Sequence, residues 1–191
     1  MRKRGAASVA IEWTEKTWNP VTGCTKVSTG CRGCYAERLS PRVYGRQELP
    51  TGEWAGDAPK MRPRRFVDVV LHTERLTDPT KWRKPCRVFV NSMSDLFHPD
   101  VPDWFISKVF SAMALTPWHT FQILTKRPAR AREYLANCGP LPNVWLGVSV
   151  EDQATADERI PLLLDTPAAV RFLSCEPLVG PIQLTAVANI V

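Results

Sequence analysis

Four apolar, β-branched runs begin near residues 88, 120, 144 and 170, separated by 32, 24 and 26 residues. They read Arg87-Val-Phe-Val-Asn91, Thr120-Phe-Gln-Ile-Leu124, Val144-Trp-Leu-Gly-Val-Ser-Val150 and Val170-Arg-Phe-Leu-Ser174. Each gap holds one helical pattern. Over Val101–Leu115 the residues Phe105, Val109, Ala112 and Met113 recur on one helix face, with Pro102 in the first turn, where proline is tolerated. Pro128–Asn137, closed by Cys138-Gly139-Pro140, and Ala154–Leu164 fill the next two gaps. One helix per gap is the crossover that parallel strands require. Nearly continuous apolar strands fit a sheet covered by helices. The expected fold class is therefore α/β with a parallel sheet.

The first 87 residues are less regular. Ala10–Trp13 reads as a short strand, Tyr35–Arg46 as a helix carrying Pro41, and Phe66–Leu71 as an edge strand. Leu76–Pro85 reads as a short helix or turn. Residues 47–65, dense in Gly, Pro and Arg, read as a loop or insertion. Charge is uneven: residues 1–65 hold 13 Lys/Arg against 6 Asp/Glu, a net of +7, while residues 66–191 hold 12 against 13. A cluster at Lys60, Arg62, Arg64 and Arg65 is either a polyanion-attracting patch or a solvated basic loop. Seven Trp, seven Phe and three Tyr exclude a disordered tail. No apolar run has the ~18 residues a membrane span needs, and Glu12 and Glu15 interrupt any signal-peptide core. The expected setting is cytoplasmic, with no membrane partner.

Six cysteines are unevenly placed. Cys24, Cys31 and Cys34 crowd into eleven residues as C-x6-C-x2-C, while Cys86, Cys138 and Cys175 are scattered. Without a secretory signal, a tight triplet points to metal rather than disulfides. Gly23, Gly30 and Gly33 let the intervening loop turn tightly. Structural zinc closes its shell with four ligands, whereas three thiolates leave a position open. Thiolates suit zinc or an iron–sulfur centre, and both readings stand.

The strings Ile11-Glu-Trp-Thr14, Thr17-Trp-Asn-Pro-Val-Thr-Gly-Cys24 and Gly30-Cys-Arg-Gly-Cys-Tyr-Ala-Glu37 resemble a phage-associated family of unknown function named after gene products 37 and 68. So do Phe89-Val-Asn-Ser-Met-Ser-Asp-Leu-Phe-His98, Leu124-Thr-Lys-Arg-Pro128, Val144–Glu151 and Ser174-Cys-Glu-Pro-Leu-Val-Gly-Pro181. That family in turn resembles radical S-adenosylmethionine proteins of the spore photoproduct lyase type. The resemblance implies one domain over residues 1–191, a partial parallel (β/α) barrel with a cysteine loop after its first strand. It implies a [4Fe-4S] cluster on Cys24, Cys31 and Cys34, reductive cleavage of S-adenosylmethionine, and an electron donor. Two features depart from the usual pattern: the first cysteine gap is six rather than three, and Tyr35 follows the last cysteine instead of preceding it. The tail from Gln183 lacks the family's further strand, so a C-terminally shortened barrel is expected, with an open edge that favours a homodimer.

Ligands of parallel α/β sheets bind beyond the carboxyl ends of the strands. The polar residues there, Ser94, Asp95, Lys126, Ser149 and Glu176, together with Tyr35, are the expected cofactor contacts. Each also has an ordinary reading, Asp95 as a turn cap, Lys126 as a surface charge and Glu176 as a salt-bridge partner. Two functions follow: an iron–sulfur protein performing radical chemistry on an unidentified substrate, with nucleic acid the class suggested by the basic first third, or a non-catalytic zinc module that docks nucleic acid.

Overall fold

The computed structural model describes residues 13–184 and residue 190. In chain order its elements are β1 (Lys16–Trp18), β2 (Val21–Thr22), α1 (Tyr35–Tyr44), β3 (Glu48–Ala55), β4 (Ala58–Pro63) and β5 (Val70–Leu71). They continue with β6 (Arg87–Val90), α2 (Asp103–Ala114), β7 (Thr120–Thr125), α3 (Pro128–Cys138), β8 (Val144–Ser149), α4 (Gln153–Leu164) and β9 (Val170–Ser174). The main sheet is all parallel in the order β1-β6-β7-β8-β9. Each βα unit adds its strand on the same side of the last. A sheet wound in one direction has no point at which its strand order reverses. Among the described residues it has two edges, β1 and β9.

Alternation along the strands sorts two faces. Val88, Val90, Phe121, Ile123, Leu146 and Val148 bury the outer face against the helices. α2 supplies Phe105, Ile106, Val109 and Met113 to this layer, α3 supplies Leu135 and α4 supplies Leu163. Burying each large aliphatic or aromatic group here contributes about 1.5–3 kcal/mol. The start of α4 is set by a reciprocal cap: the Asp152 carboxylate accepts from the Thr155 N–H at 2.9 Å, and the Thr155 hydroxyl accepts from the Asp152 N–H at 3.0 Å. The inner face carries Phe89, Gln122, Leu124, Trp145 and Phe172. Trp13 lies over this side, its ring 4.7 Å from Phe89 and 6.3 Å from Phe172. One side chain thus reaches from Phe89 on β6 to Phe172 on the β9 edge across the inner face.

The strand expected at Ala10–Trp13 falls largely outside the described residues, and the sheet's first strand is Lys16–Trp18 instead. Residues 47–65, expected as a loop or insertion, contain the antiparallel β3–β4 hairpin, with Glu48 opposite Pro63 and Ala55 opposite Ala58. Pro50 and Pro59 are tolerated because a two-stranded ribbon leaves one edge of each strand without a partner to satisfy. Phe66–Leu71 contributes only Val70–Leu71, paired with β2. Most of the C-terminal tail, and with it the shortened-barrel expectation, lies outside the described residues. No helix among them is long and apolar enough to cross a membrane.

The four cations of the basic cluster meet two carboxylates within the fold, so the cluster is paired in part. Arg62 grips Asp68 bidentately at 2.6 and 2.7 Å, Arg65 joins it at 3.3 Å, and Lys60 pairs with Glu53 at 3.0 Å. The Arg62 hydrogen bonds hold the Asp68 carboxyl well below the usual carboxylate range. Arg64 stacks on the Tyr44 ring at 3.7 Å and donates to the Thr22 carbonyl and hydroxyl at 2.9 and 2.6 Å. These contacts fasten the hairpin base to α1 and to the cysteine loop.

Candidate functional site

The carboxyl ends of β6–β9 and the loop running from β2 into α1 enclose a cavity of about 550 Å³. Cys24, Cys31 and Cys34 line it from the loop, and Tyr35 from the start of α1. Ser94 and Asp95 line it from beyond β6, Lys126 from β7, Ser149 from β8 and Glu176 from β9. Parallel strands put all their carboxyl ends on one side, so all nine residues singled out in the sequence converge. The scattered cysteines do not line the cavity. Cys86 lies 3.4 Å from the His119 ring, and Cys138 and Cys175 are exposed.

The cysteine loop is pinned at three places, each by a different strand tip. At its base Gly23 takes φ +94°, a conformation only glycine adopts easily, and its N–H donates to the Met93 carbonyl at 3.1 Å. The Ser94 hydroxyl donates to the Val21 carbonyl at 2.8 Å, and the Asn91 side-chain oxygen accepts the Val21 N–H at 3.1 Å. In the middle, Arg127 donates to the Thr25 carbonyl and hydroxyl at 3.0 and 3.1 Å. His98 Nδ1 accepts the Asp100 N–H, which leaves Nε2 to donate to the Thr25 hydroxyl at 2.8 Å in the neutral ring.

The far end hangs on Glu151. Its carboxylate is fully buried and accepts from the Ser28 hydroxyl and the Gly30 N–H, both at 2.7 Å, and from Lys126 Nζ, with Arg159 at 3.5 Å. Burial pushes this carboxyl up, but the bonds from Lys126, Ser28 and Gly30 outweigh it and hold it down to about 2. A Cβ on Gly30 would stand 2.4 Å from the Glu151 carboxyl carbon, so only glycine lets the backbone come this close. Gly33, also expected to turn the loop, has open space around it and no positive φ.

The thiols sit in unequal fields. Burial pushes Cys24 up to about 11, with Asp95 adding to the rise and Arg127, 3.6 Å from the sulfur, opposing it. Burial also raises Cys31, but hydrogen bonds from the Val27–Ser28 segment and the nearby Lys126 charge prevail and lower it. Tyr35 donates to the Ser92 carbonyl at 2.6 Å, and burial, helped by Cys34, pushes its phenol up to about 12.

These contacts divide the expected ligand residues. Asp95 is fully engaged, accepting from the Phe97 and Lys126 N–H groups, the Thr125 hydroxyl and Arg127. Lys126 is engaged by Glu151, and Ser94 by the Val21 carbonyl. All three hold the loop. Buried Ser149 and exposed Glu176 line the cavity without a side-chain hydrogen bond among the described residues. Glu151 is a polar strand-end residue like Ser149, but its part as an anchor, and that of Arg127, were not expected from the sequence. The available signal was a charged residue directly after an apolar run, the same one that selected Asp95 and Lys126. Asn91, buried with an unpartnered Nδ2 and φ +61°, is a further cavity residue.

Three free thiols on one cavity form a donor set that fits a thiophilic centre in chemical kind. The sulfurs are not drawn together: no group of three or more His, Cys, Asp or Glu among the described residues stands ready to hold a metal ion. Cys31 lies within the short 3-10 turn Thr29–Gly33, and Cys34 directly follows it.

No curated protein is similar enough to match the chain. Among solved structures it is similar to a spore photoproduct lyase mutant, with a TM-score of 0.49 and 12% identity, covering 91% of this chain and 49% of that one. The chain spans about half the length of that protein. Over residues 8–191 it matches the model of the family described as "Protein of unknown function (DUF5131)". The chain belongs to that family.

Proposed function

We propose that the chain is an iron–sulfur protein of the radical S-adenosylmethionine type, with Cys24, Cys31 and Cys34 as cluster ligands. The observation that carries this reading is the convergence of three free thiols and the polar tips of four parallel strands on one cavity. Its volume lies within the range of small-molecule sites. Three thiolates leave one iron of a [4Fe-4S] cluster without a protein ligand, and a bound cluster supplies one-electron reductive cleavage of S-adenosylmethionine. An electron donor completes the system.

The chain's own residues bind, orient and exclude water. Ser149 and Ser174 present hydroxyls and Glu176 a carboxylate to hydroxyl or amino groups of a ligand, and Asn91 Nδ2 is a buried donor without a partner. Trp13, Phe66 and Phe89 form apolar walls that limit water. For the substrate we favour a nucleic acid. Lys60 and Arg62 have carboxylate partners, whereas Arg32, between two of the cysteines, and Arg38, Arg42 and Arg46, along and just past α1, have none among the described residues. Lys26 pairs with Glu37 at 3.0 Å. Arg38 and Arg42 stand one helical turn apart, and the hairpin that follows exposes Trp54, a group able to stack on a base.

The test is anaerobic reconstitution with iron and sulfide, metal analysis, and measurement of reductant-dependent S-adenosylmethionine cleavage. Expected are several irons per chain, broad visible absorption and cleavage. Colourless protein holding one zinc per chain, with no cleavage, would overturn this reading in favour of a zinc-binding module.

A further inference from the structure

Arg127 sits between two elements that the proposed site needs. One of its terminal nitrogens lies 3.6 Å from Cys24 Sγ and 3.0 Å from the Asp95 carboxylate. The other donates to the Thr25 carbonyl and hydroxyl at 3.0 and 3.1 Å. The side chain is only 10% exposed and that of Asp95 7%. Asp95 is itself fixed by the Thr125 hydroxyl at 2.8 Å and by the N–H groups of Phe97 and Lys126 at 3.0 and 3.1 Å. A carboxylate, a guanidinium and a thiol are thus joined in sequence from the tips of β6 and β7 to the first cysteine. A fork with both terminal nitrogens engaged cannot swing away without breaking several bonds at once.

We propose, on the thiol-centred reading above, that Arg127 is the positioning residue for Cys24. It holds the Cys24–Thr25 arm in place and donates an N–H to the ligating sulfur, which raises the reduction potential of a cluster bound there. Hydrogen bonds to ligand sulfurs and outer groups that orient ligands both tune such centres. The adjoining Asp95 charge offsets much of the guanidinium's long-range field, so the directional N–H to sulfur contact is the part that matters. Arg127 touches a ligand and not the reacting atoms, and it acts through Cys24.

The experiment compares wild type, Arg127→Lys and Arg127→Ala. Reconstituted protein is assayed for iron per chain and for midpoint potential in a dye-mediated titration followed by electron paramagnetic resonance. Metal-free protein is assayed for the rate of iodoacetamide alkylation at Cys24 relative to Cys34, mapped by mass spectrometry. Compared at equal thiolate fraction, from alkylation rates followed across pH, Arg127→Ala should alkylate several-fold faster at Cys24, and whatever cluster it retains should have a more negative potential. Arg127→Lys keeps the charge without the fork and should fall between the two. If Arg127→Ala does not fold, Arg127→Lys carries the test in the same direction. Wild-type potential together with wild-type Cys24 alkylation in the variants overturns the proposal. If wild type takes up no iron, the cluster reading falls, and the alkylation rates still decide whether Arg127 holds Cys24.

Discussion

Replacing Glu151 by Gln tests how the cysteine loop is held. The buried carboxylate of Glu151 receives Ser28, Gly30 and Lys126. A glutamine keeps the shape but turns an N–H₂ group toward donors and leaves the Lys126 and Arg159 charges without a counter-ion. Two routes give the size of the effect. The folded-state carboxyl lies at about 2 against an ordinary value of 4.5. At about 1.4 kcal/mol per unit, this corresponds to roughly 3 kcal/mol of stability. Removing one partner of a buried ion pair costs about 3–5 kcal/mol by mutational precedent. Because the folded value is depressed, this stability is present above the ordinary value and is lost as pH falls from about 4.5 toward 2. Urea unfolding of Glu151→Gln at neutral pH should show a loss of about 3 kcal/mol at unchanged m, and the variant should lack this part of the acid-induced loss. Cys31, next to the released Gly30, should alkylate faster. A variant within about 0.5 kcal/mol of wild type, with Cys31 equally protected, would refute the idea that Glu151 carries the loop's far end.

Gly30→Ala forces a Cβ to 2.4 Å from the Glu151 carboxyl carbon and should destabilise by about 1–3 kcal/mol in the same urea assay. Alanine at Cys24, Cys31 or Cys34 should abolish most iron uptake, while alanine at Cys86, Cys138 or Cys175 should leave it intact; full retention in Cys31→Ala contradicts the ligand assignment. Charge reversal at Arg38 and Arg42 should weaken binding of a fluorescent 20-nucleotide single strand and reduce its salt slope by about 0.7 per lost phosphate contact. Reversal at Lys60, already paired with Glu53, should change it far less, and equal effects would place the interface elsewhere.

The parallel sheet was legible because each of its last four strands is a continuous apolar run and each gap is one helix long. β1 was not, since Lys16-Thr-Trp18 is too short to show a period and forms by pairing with β6. The hairpin was hidden by its own composition, because Gly and Pro normally punctuate loops and an exposed ribbon has no buried face to impose alternation. The strand-tip members of the cavity were legible from one rule, that polar residues after apolar strands share a face, and the cysteines from their crowding into eleven residues. Which of them would face a ligand was not, because that depends on partners far away in sequence. Asp95 meets Arg127 across 32 positions, and Glu151 meets Gly30 across 121.

That long-range pairing explains why the site combines two kinds of polar residue. A loop carrying three cysteines and three glycines has little apolar surface with which to hold itself on the sheet. Its position must come from hydrogen bonds and charge, and the nearest source is the ring of strand tips. Asp95, Arg127, Lys126 and Glu151 meet that need, and each is buried or nearly so where it makes its contacts. Ser149, Ser174 and Glu176, on or just past β8 and β9, line the cavity without engaging the loop. The anchors thus come from the tips of β6, β7 and β8, and the second set, the groups that the loop leaves open, is Asn91 Nδ2 beyond β6 with Ser149, Ser174 and Glu176 on β8 and β9. A ligand reaching the thiols would contact the second set, and substitutions at Ser149, Ser174 or Glu176 should alter binding while leaving the loop in place.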